Sequence, residues 1–235
     1  MRSYGEFCAV AKALDAIGDR WALLIVRELM LVGACRYTDL QHGLPGIATN
    51  LLADRLRQLE EAGVVSRELA PPPIATTLFR LTPRGQDLLP VIRELGRWGA
   101  PLLSEAGGDE AFRSYWITLP LELYYYDPTP EGPPVTIEVR MGDEPMLVEA
   151  VDGKIRVRRG SAKDPDAILT GPPWLVIGLL SRRVELQDAL KQGVDLEGDS
   201  KVLNRVRSTS VSESPSARTA EARPKVSRTK KSAVR

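Results

Sequence analysis

Between Phe7 and Ile17 the apolar positions fall at Phe7, Val10, Leu14 and Ile17, steps of three, four and three. That spacing predicts an amphipathic helix, ended by Gly18-Asp19. Trp21–Val32, WALLIVRELMLV, is apolar on nearly every side, so it predicts a helix buried in a core or between subunits. A shorter helical pattern covers Tyr37–Leu44, with Thr38 as its expected N-cap. Pro45-Gly46 stops it. The next stretch, GIATNLLADRLRQLEEAGVV over Gly46–Val65, places Leu52, Leu56 and Leu59 on one face. Gly63 suits the left-handed conformation that ends a helix. Two strands follow, Val64–Leu69 and Thr76–Leu81, around a stiff tip holding Pro71-Pro72-Pro73. Thr82 then caps a long helix with Pro83 in its first turn. The stripe Leu88, Leu89, Ile92, Leu95 and Trp98 continues to Leu102.

Helix, tight turn, longer helix and a pair of strands is the order of a winged helix-turn-helix, whose second helix enters the DNA major groove. A leucine stripe alone marks core packing more often than recognition. The opposite face adds to it. At roughly 100° per residue, Asn50, Asp54, Arg57 and Glu61 point away from the leucines, and Thr49 and Ala53 lie nearer the helix start. Asn pairs with adenine, and Arg with guanine or phosphate. Asp54 and Glu61 oppose phosphate, or pair with Arg57. Arg36 precedes the short helix, where free N–H groups also favour an anion; the alternative is a pair with Asp39. Arg67 and Arg80, one on each strand, reach the DNA backbone or pair with Glu68 or another carboxylate. The candidate DNA-binding set is Arg36, Thr38, Thr49, Asn50, Ala53, Arg57, Arg67 and Arg80. The stripe from Leu88 to Leu102 must be buried somewhere. A second copy is the economical answer, because two-fold dimers commonly read operators.

Ser104–Glu110, SEAGGDE, reads as a linker. Ala111–Tyr126 predicts helix with a break at Pro120. Strands are expected at Pro134–Met141, Pro145–Val151, Lys154–Arg159 and Asp166–Thr170, with Asp152-Gly153 as a hairpin turn. Gly171-Pro172-Pro173 leads into helices Trp174–Leu180 and Val184–Lys191. A short strand and turn over Asp195–Asp199 and a last helix, Lys201–Val206, complete the pattern. Ser208–Arg235 is rich in Ser, Ala, Pro and basic residues, without apolar periodicity, and is expected to be disordered. The fold class is α+β: a winged helix-turn-helix over residues 1–105, an α+β domain over 111–207 and a basic tail over 208–235.

A chain of 235 residues, 43% hydrophobic and 27% charged, suits two modest domains and an appendage. The net charge of +1 is unevenly placed. Residues 1–105 carry 12 basic and 12 acidic side chains; residues 106–207 carry 13 and 17; residues 208–235 carry 7 and 2. The expected DNA reader is therefore not basic overall; the basic tail either adds nonspecific phosphate contacts or is a solvated segment without function. No run of 18 apolar residues exists, so no membrane span is expected. The chain is expected to be cytoplasmic. Cys8 and Cys35 are too few for a disulfide scaffold and lack zinc spacing. His42 is the only histidine, and no nucleophile motif, phosphate loop or metal cluster is present. No enzymatic activity, cofactor or metal is expected.

FCAVAKALDAIGDRWALLIVRELM, RYTDLQHGLPGIATNLLADRLRQLEEAGVVSRE, FRLTPRGQDLLPVI and RWG together resemble the HxlR family of bacterial winged-helix transcription regulators, from about Phe7 to Leu103. The resemblance implies a homodimer on an operator, dimerised through the first helices and Thr82–Leu103, with Ala48–Ala62 as recognition helix. It also implies a redox- or electrophile-sensing role for Cys8, since several members use a cysteine near this position. A helix start favours a reactive thiolate, whereas neighbours Phe7, Ala9 and Val10 suit a buried, inert cysteine. Ala48 stands where the family often has a capping serine, leaving Thr49 or Asn50 to cap or to touch DNA; Cys35 stands where members usually have no cysteine.

DPDAILTGPPWLVIGLLSRRVELQDALKQGVDLEGDSKVLNRV resembles the end of the sterol carrier protein type-2 fold. That likeness, over Ala111–Val206, implies an apolar cavity for a small lipid-like or aromatic ligand. The competing reading is a closed core of Trp116, Leu123, Trp174, Ile177, Leu180 and Leu190. A ligand preferring one dimer geometry would shift the operator-competent population. The alternative function is a small-molecule carrier whose first domain mainly dimerises it.

Overall fold

The computed structural model describes residues 3–71, 75–105 and 110–209. In its first part, α1 (Ala9–Ile17) and α2 (Ala22–Val32) precede a two-residue strand, β1 (Cys35–Arg36). Then come α3 (Tyr37–Gly43), α4 (Thr49–Glu61) and the hairpin of β2 (Val65–Leu69) and β3 (Thr77–Leu81). The strands form a small antiparallel sheet in the order β1-β3-β2. Ile25, Val26, Leu40, Leu52, Leu56 and Leu59 form the centre of one buried cluster. Pro72 and Pro73 of the expected stiff tip lie outside the described residues.

Local chemistry explains the boundaries. Gly46 (φ 84°) turns the chain between α3 and α4. At the end of α4, Gly63 adopts φ 69°, its N–H donates to Glu60 O, and Val64 N–H donates to Leu59 O. These two bonds make the Schellman closure, which satisfies carbonyls that the helix leaves open. Two expectations are corrected here. Thr38 does not cap α3: the chain enters from β1, Arg36 is the N-cap residue, and the Asp39 carboxylate accepts the Arg36 N–H at 2.9 Å. Nor is there one long helix after Thr82. The Thr82 hydroxyl does accept Gly85 N–H at 3.1 Å, but α5 stops at Gln86 and α6 runs over Leu89–Gly99, followed by a 3-10 helix, Ala100–Glu105. Pro90 supplies no N–H for the Gln86 carbonyl and crowds the preceding turn, which breaks the helix there.

The second part holds a 3-10 turn (Ser114–Ile117), α7 (Thr118–Tyr124), β4 (Tyr125–Tyr126), β5 (Val135–Arg140), β6 (Pro145–Val151), β7 (Lys154–Arg159) and β8 (Ala167–Thr170). It continues with α8 (Pro173–Leu180), α9 (Leu186–Lys191), β9 (Asp195–Gly198), a 3-10 helix (Ser200–Arg205) and β10 (Arg207–Ser208). The strands make one curled mixed sheet, ordered β10-β4-β7-β6-β5-β8-β9, in which β5 and β8 run parallel. Asp152 (φ 51°) and Gly153 (φ 77°) form the tight turn between β6 and β7, the left-handed pair a type I′ hairpin requires. Pro120 does not break a helix; it lies in the first turn of α7, where N–H groups have no helical partner anyway. The expected tail also begins differently. Ser208 pairs with Tyr125, and Thr209 N–H reaches the Tyr124 carbonyl at 2.6 Å. The rest of the expected tail, residues 210–235, lies outside the described residues, as do residues 106–109 of the expected linker. Of the apolar set read as a closed core, Leu180 is buried, but Trp174 is 57% exposed and Leu190 is also exposed.

The second part has its own buried cluster, centred on Ile137, Val139, Met146, Val148, Leu169 and Leu175, and Glu28 ties it to the first. This α2 carboxylate is 1% exposed. It accepts Tyr115 Oη at 2.8 Å, Trp116 Nε1 at 2.7 Å and Arg27 Nη2 at 2.5 Å. The Arg27 guanidinium lies 4.4 Å from the Trp116 ring centre, and that of Arg159 lies 4.1 Å from Tyr115. Gly43, at the end of α3, packs so closely that a Cβ there would come within 2.4 Å of the Glu28 carboxylate. Two further ties cross between the parts. Arg113 Nη2 donates to the His42 carbonyl at 3.1 Å, and the Tyr124 hydroxyl donates to the Arg93 carbonyl of α6.

Removing Glu28 leaves Arg27 without its counter-charge and two aromatic donors without an acceptor. Breaking a buried charged pair typically costs ~3–5 kcal/mol. Glu28→Ala is therefore expected to lower the urea midpoint by that equivalent, with Tyr115→Phe losing less. A Glu28→Ala midpoint within experimental error of the parent would show that the carboxylate is not a tie between the two clusters.

Candidate nucleic-acid interface

α4 is anchored by Leu52, Leu56 and Leu59, all buried. This anchoring turns Thr49, Asn50, Ala53, Asp54 and Arg57 outward, and all five are exposed. The start of the helix is fixed by α3. Gln41 Nε2 donates to Thr49 Oγ1 at 2.9 Å, and the Tyr37 hydroxyl donates to the Thr49 carbonyl at 2.5 Å. Ala48 is the N-cap residue and has no side-chain acceptor. Asn50 Oδ1 instead takes the Leu51 N–H at 2.9 Å, so its amide N–H₂ remains a donor on the outer face. Thr49 is thus tied to α3, while Asn50, Ala53 and Arg57 make the open face.

The arginines are differently placed. Arg57 Nη2 lies 3.0 Å from Asp54 Oδ1, one turn back. Arg67 Nε reaches Glu60 of α4 at 2.9 Å, and Arg80 Nη1 reaches Glu68 Oε2 at 3.0 Å. Because Arg67 stands opposite Phe79 while Arg80 stands opposite Ser66, the two arginines leave opposite faces of the hairpin. Arg36 and Thr38, at the start of α3, are exposed. The alternative of an Arg36–Asp39 ion pair is not what forms: Asp39 binds the Arg36 backbone N–H.

The cysteines differ sharply. Cys8 is exposed at the start of α1; the first-turn N–H groups of Ala11 and then Val10 favour its thiolate and lower its pKa. Cys35 is buried, and desolvation, with Asp39 and Glu28 nearby, pushes its thiol up to about 12. No group of three metal-ligating side chains is found among the described residues. No helix among them is long and apolar enough to cross a membrane.

Residues 16–106 match the model of the HxlR-like helix-turn-helix family. The chain is 36% identical over 87 residues to the uncharacterized HTH-type transcriptional regulator YvaP of Bacillus subtilis, covering 37% of this chain and 80% of that protein. It belongs to the HxlR-like helix-turn-helix family. A second relative, the uncharacterized HTH-type transcriptional regulator sll1512 of Synechocystis, is 33% identical over 101 residues, which is 43% of this chain and 74% of the relative. Among solved structures, the reduced form of the transcriptional regulator YodB from B. subtilis shares 30% identity, with 40% of this chain and 92% of that chain covered and a TM-score of 0.37. The HxlR-like match spans α2 to α6, and so holds the whole helix-turn-helix and its hairpin.

Glu28 escaped the sequence reading. A carboxylate next to Arg27 in a helix of otherwise apolar residues is the available signal; its two aromatic partners lie 87 and 88 residues away.

The thiol environments give a direct expectation. Native protein should react with Ellman's reagent at one thiol, Cys8, with the second released only on unfolding. Two rapidly reacting thiols in the native state would contradict the placement of Cys35.

Proposed function

We propose that the protein is a homodimeric, sequence-specific DNA-binding transcription regulator of the HxlR type. The observation that carries this reading is α4: inside a family-matched helix-turn-helix, its leucine face is buried and its Asn50–Ala53–Arg57 face is open. In this reading α4 enters the major groove. Asn50 and Arg57 meet base edges, Arg36 and Thr38 meet phosphate at the start of α3, Thr49 and Ala53 fit against the groove, and Arg67 and Arg80 follow the backbone from the hairpin.

Two exposed apolar stripes support the dimer. On α1 and just before it, Phe7, Val10 and Leu14 are exposed; along α6 and the turn after it, so are Val91, Leu95, Trp98 and Leu102. The second set recurs at steps of four, three and four. Trp98 is 74% exposed. A helix with such a seam fits against another helix, and a second copy of the chain supplies one.

For the second half, residues 111–207, the reading is a sterol-carrier-like domain that takes a small apolar ligand and thereby shifts operator affinity. The cleft of about 270 Å³ at α8, α9 and the last 3-10 helix is open to solvent and lined by more polar than apolar surface, so the ligand reading rests on the sequence resemblance and not on this cleft. Leu179, Val184, Leu186 and Leu203 supply apolar walls, while Arg182, Glu185 and Lys201 make its rim more polar than a lipid alone needs. Cys8, exposed at a helix start, adds a thiol-sensing reading.

A gel-shift titration against selected duplexes, with excess competitor and at several salt concentrations, tests the whole. Arg57→Ala is expected to weaken the operator complex by about 1–3 kcal/mol, the range for a good base contact. Unchanged affinity would remove α4 from the groove. In the same assay Trp98→Glu is expected to give a monomer by sedimentation and a weaker complex. A monomeric parent would refute the dimer. An apolar ligand recovered by native mass spectrometry, without any specific DNA complex, would favour the carrier reading instead.

A further inference from the structure

Resting on the operator reading, we propose that Asp54, Glu60 and Glu68 are specificity-determining residues, which hold Arg57, Arg67 and Arg80 in charge-neutral pairs and so suppress binding to DNA of any sequence, while Asp54 is released where the base edges match. Three arginines of the helix-turn-helix and hairpin each have a carboxylate partner at 2.9–3.0 Å: Arg57 with Asp54, Arg67 with Glu60, and Arg80 with Glu68. All three guanidinium groups are more than half exposed. Exposed pairs of this kind add little to folding and exchange partners easily, so stability does not account for them. Their common effect is electrostatic. Residues 1–105 carry equal numbers of acidic and basic side chains, whereas a DNA reader is ordinarily basic on its contact face.

Nonspecific binding is driven almost entirely by cations that meet phosphates and release the counterions condensed on DNA. A guanidinium already paired with a carboxylate brings no net charge to that exchange, and a displaced carboxylate is left facing phosphate. A random duplex therefore gains little from these three arginines. A matching sequence offers more. Arg57 can take guanine in the bidentate geometry, and Asp54, once released, can accept from the cytosine amino group. Asp54 thus opposes the backbone everywhere but is satisfied at the right base edge. Glu60 and Glu68 have no such outlet on the hairpin side and act by suppressing phosphate binding.

The test compares the full-length parent with Asp54→Asn, Glu60→Gln and Glu68→Gln, combined and singly, on a random duplex and on a duplex selected for parent binding. Titrations run from low to near-physiological salt. The combined variant is expected to steepen the log–log salt dependence on random DNA by roughly two to three, since each freed cation adds about 0.9. Its low-salt affinity for random DNA should rise tenfold or more, with a smaller gain on the selected duplex. Adding Arg80→Ala to Glu68→Gln should return the salt dependence to that of the parent, which ties the change to the named pair. An unchanged slope, or equal gains on both duplexes, would overturn the proposal while leaving operator binding intact. A parent with no complex on selected DNA would instead overturn operator binding, and this proposal with it.

Discussion

The arrangement of both halves depends on one buried carboxylate. Glu28 is held on α2 among apolar neighbours, where an ionised group is tolerated only with its hydrogen-bonding capacity filled. The donors come from both sides: Arg27 beside it on α2, and Tyr115 and Trp116 from the second half. Neither cluster satisfies this group alone. Gly43 lets α3 approach the same carboxylate closely, so the first helix of the helix-turn-helix is placed by the contact that joins the halves. Arg113 at the His42 carbonyl and Tyr124 at the Arg93 carbonyl extend the seam to the end of α3 and to α6.

That seam bears on function through what it touches. α3 fixes the start of α4 through Gln41 and Tyr37, and α6 carries the exposed stripe attributed to a second copy. The second half therefore packs against the elements that place the outward face of α4 and the proposed dimer helix. Any binding event that shifts Tyr115, Trp116 or Tyr124 acts directly on those elements. Such a path requires only that a ligand favour one of two arrangements.

The outward face of α4 and the hairpin beside it carry little net charge. Arg57, Arg67 and Arg80 are each paired with a carboxylate, the leucines of α4 lie in the core, and the open positions are short polar residues with one guanidinium. A surface of this kind has little hold on phosphates in general. In the proposed operator complex, selectivity would then rest on groups that gain most where the base edges match.

Much of this was legible in the sequence. Period-3.6 leucines placed α4, alternation placed β5 to β7, and Asp152-Gly153 and Gly63 marked their turns, because each depends on local backbone preferences or one buried face. The outward positions of α4 followed from the same period. Other features depended on contacts between distant parts of the chain. β1 and β10 are two residues long and exist only because β3 and β4 offer a free edge. Asp39, not Thr38, closes the start of α3 because the chain arrives there from a strand. The pairing of Arg67 with Glu60 needed the hairpin folded back onto α4. Glu28 shows the division most clearly: its position in an apolar helix was determined by sequence alone, but its role was decided by tertiary structure, because a buried charge has meaning only through the groups that surround it.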